Sequence, residues 1–303
     1  SSPQNVGAPI NTDKHDACVA LNPEGDRMIV YRASPDFLAG DLYVTKLSSE
    51  GIWGSLQKFG TEINSQFIET SAWFGNDTSE IYFSSNRPGG YGGKDIYRIK
   101  KLPNNKWGLP YNLGPEVNTK YDEDDSYMHY DGVTLFFSSK GHNTIGEYDI
   151  FKTLLNPEIN KFSKAESLGY PINTVNNDRF FVLSGDGKHG YYSSVKEDSK
   201  GSSDIYLIDT RFGDNDLLVK HGIIYKNDVN GKAKITLIDS ETKQVAGIYN
   251  SNSKTGKFVL VLNPLKSYKV IVEDVLCATI AMEIEPMAFE KTETELVIKM
   301  TKK

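Results

Sequence analysis

Four acidic side chains recur at nearly constant spacing over the first two thirds of this sequence. Consecutive members lie 53, 54 and 55 residues apart; they are Asp16, Glu69, Glu123 and Asp178. Each follows an asparagine by five positions, and these asparagines are Asn11, Asn64, Asn118 and Asn173. If the repeating units surround an axis, the four carboxylates face one rim of a central channel. There they could hold a cation or a basic peptide segment, or act in pairs as glycosidase carboxylates do.

A structural interpretation competes with this chemistry. Each carboxylate could accept hydrogen bonds from backbone amides of the next unit and so join neighbouring units. Repetition in every copy favours this interpretation, because catalytic residues are rarely repeated copy by copy. The local run Asp122-Glu123-Asp124-Asp125 favours a cation, with calcium the candidate, in the third copy only.

A second acidic series has the same period. Asp41, Asp95, Asp149 and Asp204 are 54, 54 and 55 residues apart, and each opens an Asp-Ile/Leu-Tyr/Phe segment. A Ser-Ser pair precedes three of these segments, as in Ser84-Ser85. We expect the aspartates to accept hydrogen bonds from these serines on the neighbouring strand, which is a structural role.

Other catalytic and binding signatures are missing from the sequence. It contains no nucleophile elbow, no P-loop and no metal-type spacing among its five histidines. The loop Gly89-Gly90-Tyr91-Gly92-Gly93 joins two predicted strands, whereas a phosphate cradle needs a helix after it. Cys18 and Cys277 fall in different predicted domains and are expected to be buried, unpaired thiols. The sequence therefore predicts a protein without catalytic residues, resident metal or cofactor.

Charge and hydropathy exclude two further classes. The chain has 34 basic and 40 acidic residues, a net charge of -6 and no basic cluster, which argues against nucleic-acid binding. No unbroken apolar run of about 18 residues is present, so no membrane-spanning segment is predicted.

The spacing of the acids reflects a repeat of whole structural elements. Each of four copies contains short β-branched and aromatic segments bounded by Gly, Pro, Asn and Asp, which is typical of strands. We interpret Trp53, Trp107 and Phe162 as part of the strand that closes each unit. One such sheet cannot bury both faces alone, but radial stacking of neighbours can. The fold class is therefore all-β, with a β-propeller over residues 1–212.

The order Ser-Ser, Gly-Gly loop, Asp-Ile-Tyr, Trp-Gly, Leu-Gly and Val/Ile-Asn-Thr resembles the PD40 (WD40-like, TolB-type) propeller repeat. It is most similar to repeats in envelope proteins of Bacteroidota, where this propeller, a β-sandwich and an OmpA-type peptidoglycan-binding domain occur together. The type IX secretion and gliding apparatus contains one such protein. The resemblance implies a periplasmic or outer-membrane-associated location and partners among envelope proteins. It also implies peptidoglycan binding through a domain outside this sequence.

The number of blades departs from that family. TolB-type propellers usually have six blades, and four are visible here. The fourth copy ends after Asp209 and has no aromatic closing strand. We expect that these blades are part of a larger ring; a self-contained four-bladed ring is the alternative.

A second domain follows the repeat. Residues 213–218 read as a linker, and residues 219–303 contain seven strand-like runs with short turns, which predicts a two-sheet β-sandwich. Segments such as His221-Gly222-Ile223-Ile224-Tyr225 and Ser253-Lys254-Thr255-Gly256-Lys257-Phe258 resemble the carboxypeptidase regulatory-like (transthyretin-like, CNA-B-like) domain. That resemblance implies a spacer or adhesion module and no peptidase activity.

Three functions remain at this stage. The first is a non-enzymatic envelope scaffold that binds partner proteins. The second is a propeller that binds glycan or peptide, where Trp73, Phe74 or Tyr127 could stack on a sugar, although a core position is expected for them. The third is a glycoside hydrolase that uses two of the repeated carboxylates.

Overall fold

The computed structural model describes residues 4–34, 40–75, 78–209, 218–285 and 295–303. Over these residues the chain is built from β-strands, turns and loops, as predicted for an all-β protein. This part of the chain offers no helix that is long and apolar enough to cross a membrane.

The repeat forms four consecutive antiparallel sheets, which are the blades. The first contains β1 (Asp16–Leu21), β2 (Arg27–Ala33), β3 (Gly40–Lys46) and β4 (Gln57–Lys58). The second contains β5 (Glu69–Phe74), β6 (Glu80–Ser85), β7 (Asp95–Lys100) and β8 (Tyr111–Asn112). The third contains β9 (Glu123–Met128), β10 (Thr134–Ser139), β11 (Asp149–Asn156), β12 (Lys161–Phe162) and β13 (Glu166–Ser167). The fourth contains β14 (Arg179–Leu183), β15 (His189–Ser194) and β16 (Asp204–Asp209).

The outermost strand of the first two blades differs from the predicted closing strand. Trp53 and Trp107 form only isolated β-bridges, with Leu47 and Lys101. The strand that pairs with the third strand comes a few residues later, as β4 and β8. In the third blade both segments pair with β11, through β12 and β13. The tryptophans are therefore packing residues at the blade edge: Trp107 lies edge-on to Phe59, with ring centroids 6.1 Å apart.

The middle strands of the second and third blades are apolar on both faces, because each of these two blades lies between two others. In β6, Ile81, Tyr82 and Phe83 are consecutive and all fully buried. Tyr82 packs towards the third blade and Phe83 towards the first. Continuous apolar runs are the expected pattern for sheets that are covered on both sides. Each fully buried side chain of this size contributes about 1.5–3 kcal/mol.

The blades pack one after another as an arc. The first strands of successive blades contact each other, β1 with β5, β5 with β9 and β9 with β14, so they form the inner side. Separate apolar clusters join the first blade to the second, the second to the third and the third to the fourth. Among the described residues, none of these clusters joins the fourth blade to the first. The described part of the fourth blade consists of the three strands β14, β15 and β16.

The second region forms two packed sheets. Its strands are β17 (Leu218–Lys226), β18 (Val229–Asn230), β19 (Lys234–Asp239), β20 (Val245–Asn250), β21 (Lys257–Leu262), β22 (Tyr268–Glu273), β23 (Ile280–Ile284) and β24 (Leu296–Met300). One sheet pairs β17 with β18, β21 and, in parallel, β24; the other has the order β20-β19-β22-β23. The seven predicted strands are present, and the two-residue β18 is an addition.

Alternation along these strands places one face of each sheet in a shared core. In β22, Tyr268, Val270 and Val272 are buried and pack with Leu237 of the same sheet and Ile298 of the other sheet. The predicted linker, residues 213–218, lies outside the described residues except for Leu218, where β17 begins. A hydrogen bond joins the two regions: the Ile248 N–H donates to the Asp131 carbonyl at 2.8 Å.

Candidate functional site

The four repeated acids lie at the start of the first strand of each blade and are held by their own blade. In the third blade, Glu123 accepts hydrogen bonds from the Thr119 N–H and hydroxyl, both at 2.7 Å, and from the Ser139 hydroxyl at 2.7 Å. The same pattern recurs for Glu69 with Ser65 and Ser85, and for Asp178 with Thr174 and Ser194. In the first blade Arg32 replaces the serine and donates to Asp16 at 2.5 Å.

These contacts differ from the expected ones. The carboxylates accept from the turn that leads into their own strand, four residues earlier, and not from amides of the next blade. Burial raises the pKa of Glu123, and hydrogen bonds from Thr119 and Ser139 oppose this. Burial also acts to raise the pKa of Asp16, but hydrogen bonds from Thr12 and Arg32 outweigh it, and that pKa is lowered. Glu69, Glu123 and Asp178 are almost completely buried, with their oxygens engaged.

The second acidic series holds the loop that precedes it. Asp95 accepts hydrogen bonds from the N–H groups of Tyr91 and Gly92 and from the Asn112 side chain. Asp149 and Asp204 accept from the N–H of the residue four positions earlier, and Asp41 pairs with Lys58 at 2.8 Å. The expectation that these aspartates bind the Ser-Ser pair is wrong, because Ser85 donates to Glu69 instead.

Close backbone packing explains why the loop Gly89-Gly90-Tyr91-Gly92-Gly93 is rich in glycine. A Cβ on Gly92 would lie 2.1 Å from the Tyr121 carbonyl oxygen and 2.4 Å from the Thr119 carbonyl oxygen, which belong to the turn before the next blade. Gly146 meets the backbone of Val175 in the same way in the third blade. The glycines therefore permit close approach of two backbones, which is one of the recognised uses of glycine.

A largely buried ionic cluster lies one and two residues beyond the acid series on the first strands of the third and fourth blades, and a lysine from the loop before β7 completes it. It consists of Lys94, Asp124, Asp125 and Arg179. Arg179 donates to Asp124 at 3.0 Å and to Asp125 at 2.7 and 3.0 Å, and Lys94 forms an ion pair with Asp124. Thr70 and Ser71 of the second blade also donate to Asp124, at 2.8 and 2.7 Å. The cluster thus joins three blades.

The pKa values of the two aspartates in the ionic cluster are shifted in opposite directions. Burial acts to raise the pKa of Asp124, but the charges of Lys94 and Arg179 outweigh it and that pKa is lowered. Burial and the neighbouring charge of Asp124 raise the pKa of Asp125 to about 6. The Arg179 guanidinium also lies over the ring of Tyr148, 4.5 Å from its centroid. The acidic run Asp122–Asp125 therefore forms ion pairs with a lysine and an arginine. In the part of the chain that the structure describes, no group of three or more metal-binding side chains occurs.

A cavity of about 790 Å³ lies where the inner strands of the blades meet the second region. The blades contribute Trp73, His129 and Tyr130, and the β-sandwich contributes Tyr249 and Phe258. His129 is buried; its Nδ1 is 3.2 Å from Asp131, and its Nε2 has no hydrogen-bond partner among the described residues. Polar and charged side chains, among them Glu24, His221 and Lys257, line the cavity beside these aromatic rings.

Of the three aromatic residues that the sequence suggests for sugar stacking, one borders the cavity and two are core residues. Trp73 borders the cavity and packs edge-on against Tyr127, with centroids 4.8 Å apart. Tyr127 is buried and donates to the Leu183 carbonyl of the next blade at 2.7 Å, and Phe74 is in the core between the first two blades. Both cysteines are unpaired; Cys277 is buried as expected, but Cys18 is exposed.

Sequence reasoning missed the ionic cluster, His129 and the partners of the repeated asparagines. Asp124 and Arg179 occupy equivalent positions in their repeats, where the other copies carry Ala17 and Thr70. A search for residues that recur in every copy cannot find this ion pair, because the residue type at this position differs from copy to copy. The signal that could have found them is the departure from the repeat: one acidic and one basic side chain at the same position of adjacent blades.

Neither a protein-family model nor a curated protein sequence matches this chain. Among solved structures, it is similar to a protein described as TolB from Agrobacterium tumefaciens, with 13% identity over 83% of this chain and 91% of that chain and a TM-score of 0.39. It is also similar to an alpha-L-arabinofuranosidase from Lactobacillus brevis, with 13% identity over 62% and 70% of the two chains and a TM-score of 0.40. A sucrose-6-phosphate hydrolase from Lactobacillus gasseri matches with 8% identity over 91% and 71% of the two chains and a TM-score of 0.38. At these identities and scores the likenesses carry no argument about activity, substrate or partner.

Proposed function

We propose that this chain is a non-enzymatic protein-interaction module of the cell envelope. The observation that carries the proposal is the engagement of the repeated carboxylates: Glu69, Glu123 and Asp178 are buried and accept hydrogen bonds from their own blades. A glycosidase needs one carboxylic acid and one carboxylate that can reach a sugar. Carboxylates that each hold a turn and a neighbouring strand are suited to stabilising a scaffold.

The sequence resemblance supports the cellular context of the proposal. The repeat is similar to those of Bacteroidota envelope proteins, so we place the chain in the periplasm or at the outer membrane. Its partners would be other envelope proteins, in a complex such as the type IX secretion and gliding machinery. Contact with peptidoglycan would come through a domain outside this sequence.

An affinity experiment tests this function directly. The chain, immobilised on resin, is incubated with a mild-detergent extract of the envelope, and retained proteins are identified by mass spectrometry. We expect the same envelope proteins to be retained by the wild type and by the variants Glu69→Gln and Glu123→Gln, since these side chains face into their blades. Retention of no envelope protein above bare resin contradicts the proposal.

The acid variants also separate this function from hydrolysis. A panel of glycoside substrates is incubated with the wild type and with Glu123→Gln, whose fold is checked by circular dichroism. We expect no turnover by either protein. Turnover by the wild type that is lost in the folded variant identifies an enzyme.

The cavity favours a second candidate, a glycan- or peptide-binding protein. His129, Trp73 and Phe258 line one cavity that is large enough for a small ligand, and the buried His129 Nε2 has no hydrogen-bond partner among the described residues. Glycan arrays and peptide libraries can be probed with the wild type and with Trp73→Ala. The outcome in favour is a ligand whose binding is lost in Trp73→Ala but kept in Trp107→Ala, because Trp107 lies on a blade edge away from the cavity.

A further inference from the structure

The three contacts between adjacent blades share one hydrogen-bonded arrangement, which we call the junction. In each, the asparagine before a blade binds one residue in the third strand of the preceding blade. The Leu42 N–H donates to the Asn64 Oδ1 at 2.8 Å, and the Asn64 Nδ2 donates to the Leu42 carbonyl at 2.9 Å. Asn118 binds Ile96 and Asn173 binds Ile150 with the same two distances.

The outer strand completes each junction. The N–H groups of Phe59, Leu113 and Leu168 donate to the carbonyls of Leu42, Ile96 and Ile150 at 3.1, 3.2 and 3.0 Å. A glycine follows each of these apolar residues, and the asparagine comes four positions after the glycine. A junction is therefore a continuous segment that gives one blade its outer strand and fastens the next blade to it.

Residues Asn5–Asn11 have the hydrogen bonds of a junction, and among the described residues no third strand pairs with them. The Gly7 N–H and the Asn11 Nδ2 both donate to the Asn5 Oδ1, at 2.7 and 2.8 Å. The corresponding bonds to Asn112 in the second junction measure 2.9 and 2.8 Å. Val6 is 54% exposed, whereas Leu113 at the same position is 6% exposed. This segment has the geometry of a junction and an uncovered apolar side chain.

The fourth blade has the complementary defect. Ile205 occupies the position of Leu42, Ile96 and Ile150, which are fully buried, yet it is 80% exposed. Leu207 on the same face is 59% exposed, and Tyr191 is exposed where Tyr82 and Phe136 are buried. Among the described residues, no outer strand pairs with β16 in the way that β4, β8 and β13 pair with β3, β7 and β11. This face of the fourth blade carries the apolar residues that form an inter-blade contact elsewhere, but among the described residues no further blade covers it.

The two incomplete ends belong to blades at opposite ends of the arc. Three apolar clusters and the ionic cluster fix the successive blades against one another. Among the described residues, no strand pairing joins β16 to the first blade. A second copy can supply the missing partner while the blades keep the arrangement that the structure shows.

We propose that two copies of this chain associate head to tail, with Asn5–Asn11 of one copy completing β16 of the other. By analogy with the pairs Tyr43 with Lys58 and Tyr97 with Asn112, Asn5 lies opposite Tyr206. The Asn11 side chain binds the backbone of Ile205, and Val6 covers the apolar face of the fourth blade. Such a heterologous contact closes into a ring when two arcs match, and otherwise extends. This inference does not depend on the proposed function.

Analytical ultracentrifugation of the whole chain over a micromolar concentration series tests the association. We expect dimers or longer assemblies for the wild type. Ile205→Asp, at an exposed position that leaves the monomer folded, should weaken association about 100-fold, because a charge would be buried at the contact. Asn11→Ala should weaken it about tenfold or more through two lost hydrogen bonds. The control Leu109→Asp, at an exposed apolar residue of the second blade, should have no effect. A monomer at every concentration overturns the proposal, as does equal weakening by the control.

A disulfide identifies the partner strand. In a Cys18→Ser background, Asn5→Cys and Tyr206→Cys are combined, and Tyr43→Cys with Lys58→Cys reports an existing junction. The expected products are a covalent dimer from the first pair and a cross-linked monomer from the second. A cross-linked monomer from the first pair overturns the proposal in favour of closure within one chain. Failure of the first pair to react while the second reacts overturns it as well.

Discussion

Each junction asparagine joins one blade to the next through its side-chain amide. An amide side chain carries both a donor and an acceptor, so one Asn118 can bind the N–H and the C=O of Ile96 together. The sequence shows these asparagines at regular spacing, but it does not show their partners. Those partners lie 22 or 23 residues earlier in the chain, on another sheet.

Replacing a junction asparagine should therefore cost more than its size suggests. We expect Asn118→Ala to lower the free energy of unfolding by about 2–4 kcal/mol, because it leaves the buried backbone groups of Ile96 unpaired. The measurement is urea unfolding followed by tryptophan fluorescence. Asn11→Ala is the matched control, since Asn11 is exposed, and it should change stability by less than about 0.5 kcal/mol in the monomer. Equal losses in both variants contradict this role.

Asp125 should make stability depend on pH near neutrality. Its pKa of about 6 lies above the ordinary value of 3.8, so the folded protein binds a proton more readily than the unfolded chain. Stability from this group therefore rises as the pH falls through 6. Between pH 8 and pH 5 the wild type should gain about 1.4 kcal/mol relative to Asp125→Asn. Asp124, whose pKa is lowered, stays ionised over this range. A difference between the two proteins that is independent of pH contradicts the prediction.

At the scale of the strands, the sequence predicted the repeat well and the outer edge of each blade poorly. Middle strands such as β6 and β10 are apolar runs with clear turns, and local composition is sufficient to identify them. The outer strands β4 and β8 have two residues each and no apolar pattern, so the sequence pattern points instead to the segments around Trp53 and Trp107. Their pairing comes from the junction, which is a contact between blades.

The first strands are held together by ion pairs as well as by apolar packing, and removing the ion pairs should measurably lower the stability of the fold. Arg179→Gln leaves Asp124 and Asp125 without their guanidinium, so we expect a loss of about 3–5 kcal/mol. Lys152→Gln is the control, because Lys152 and Glu166 form an exposed pair at 3.4 Å. An exposed pair contributes about 0–1 kcal/mol. Comparable losses in chemical denaturation would show that the ionic cluster is as dispensable as a surface pair.

At the scale of the whole molecule, the structure has two separate kinds of core. The blades share cores with their neighbours, whereas the sandwich has a single core between its own two sheets. The described sheets of the two regions share no strand and meet at the Ile248–Asp131 hydrogen bond and around the cavity. The domain division at residues 213–218 remains a prediction that unfolding can test.

The tryptophans make that test selective, because Trp53, Trp73 and Trp107 all lie in the blades. Leu237→Ala, in the sandwich core, should destabilise the sandwich by about 2–5 kcal/mol and leave the transition seen by tryptophan fluorescence in place. Leu135→Ala, in the core between the second and third blades, should shift that transition instead. Far-ultraviolet circular dichroism follows both regions. Shifts of the fluorescence transition in both variants contradict two independently folding domains.

The junction also bears on how such a protein can change in evolution. The asparagine, the turn, the acid and the apolar third-strand residue all lie within one continuous stretch of about 54 residues. Tandem duplication of that stretch copies both sides of the contact at once, so the new blade meets matching surfaces on each neighbour. Blade number can therefore rise or fall in a single genetic event, with no further substitution needed to make the new contacts fit.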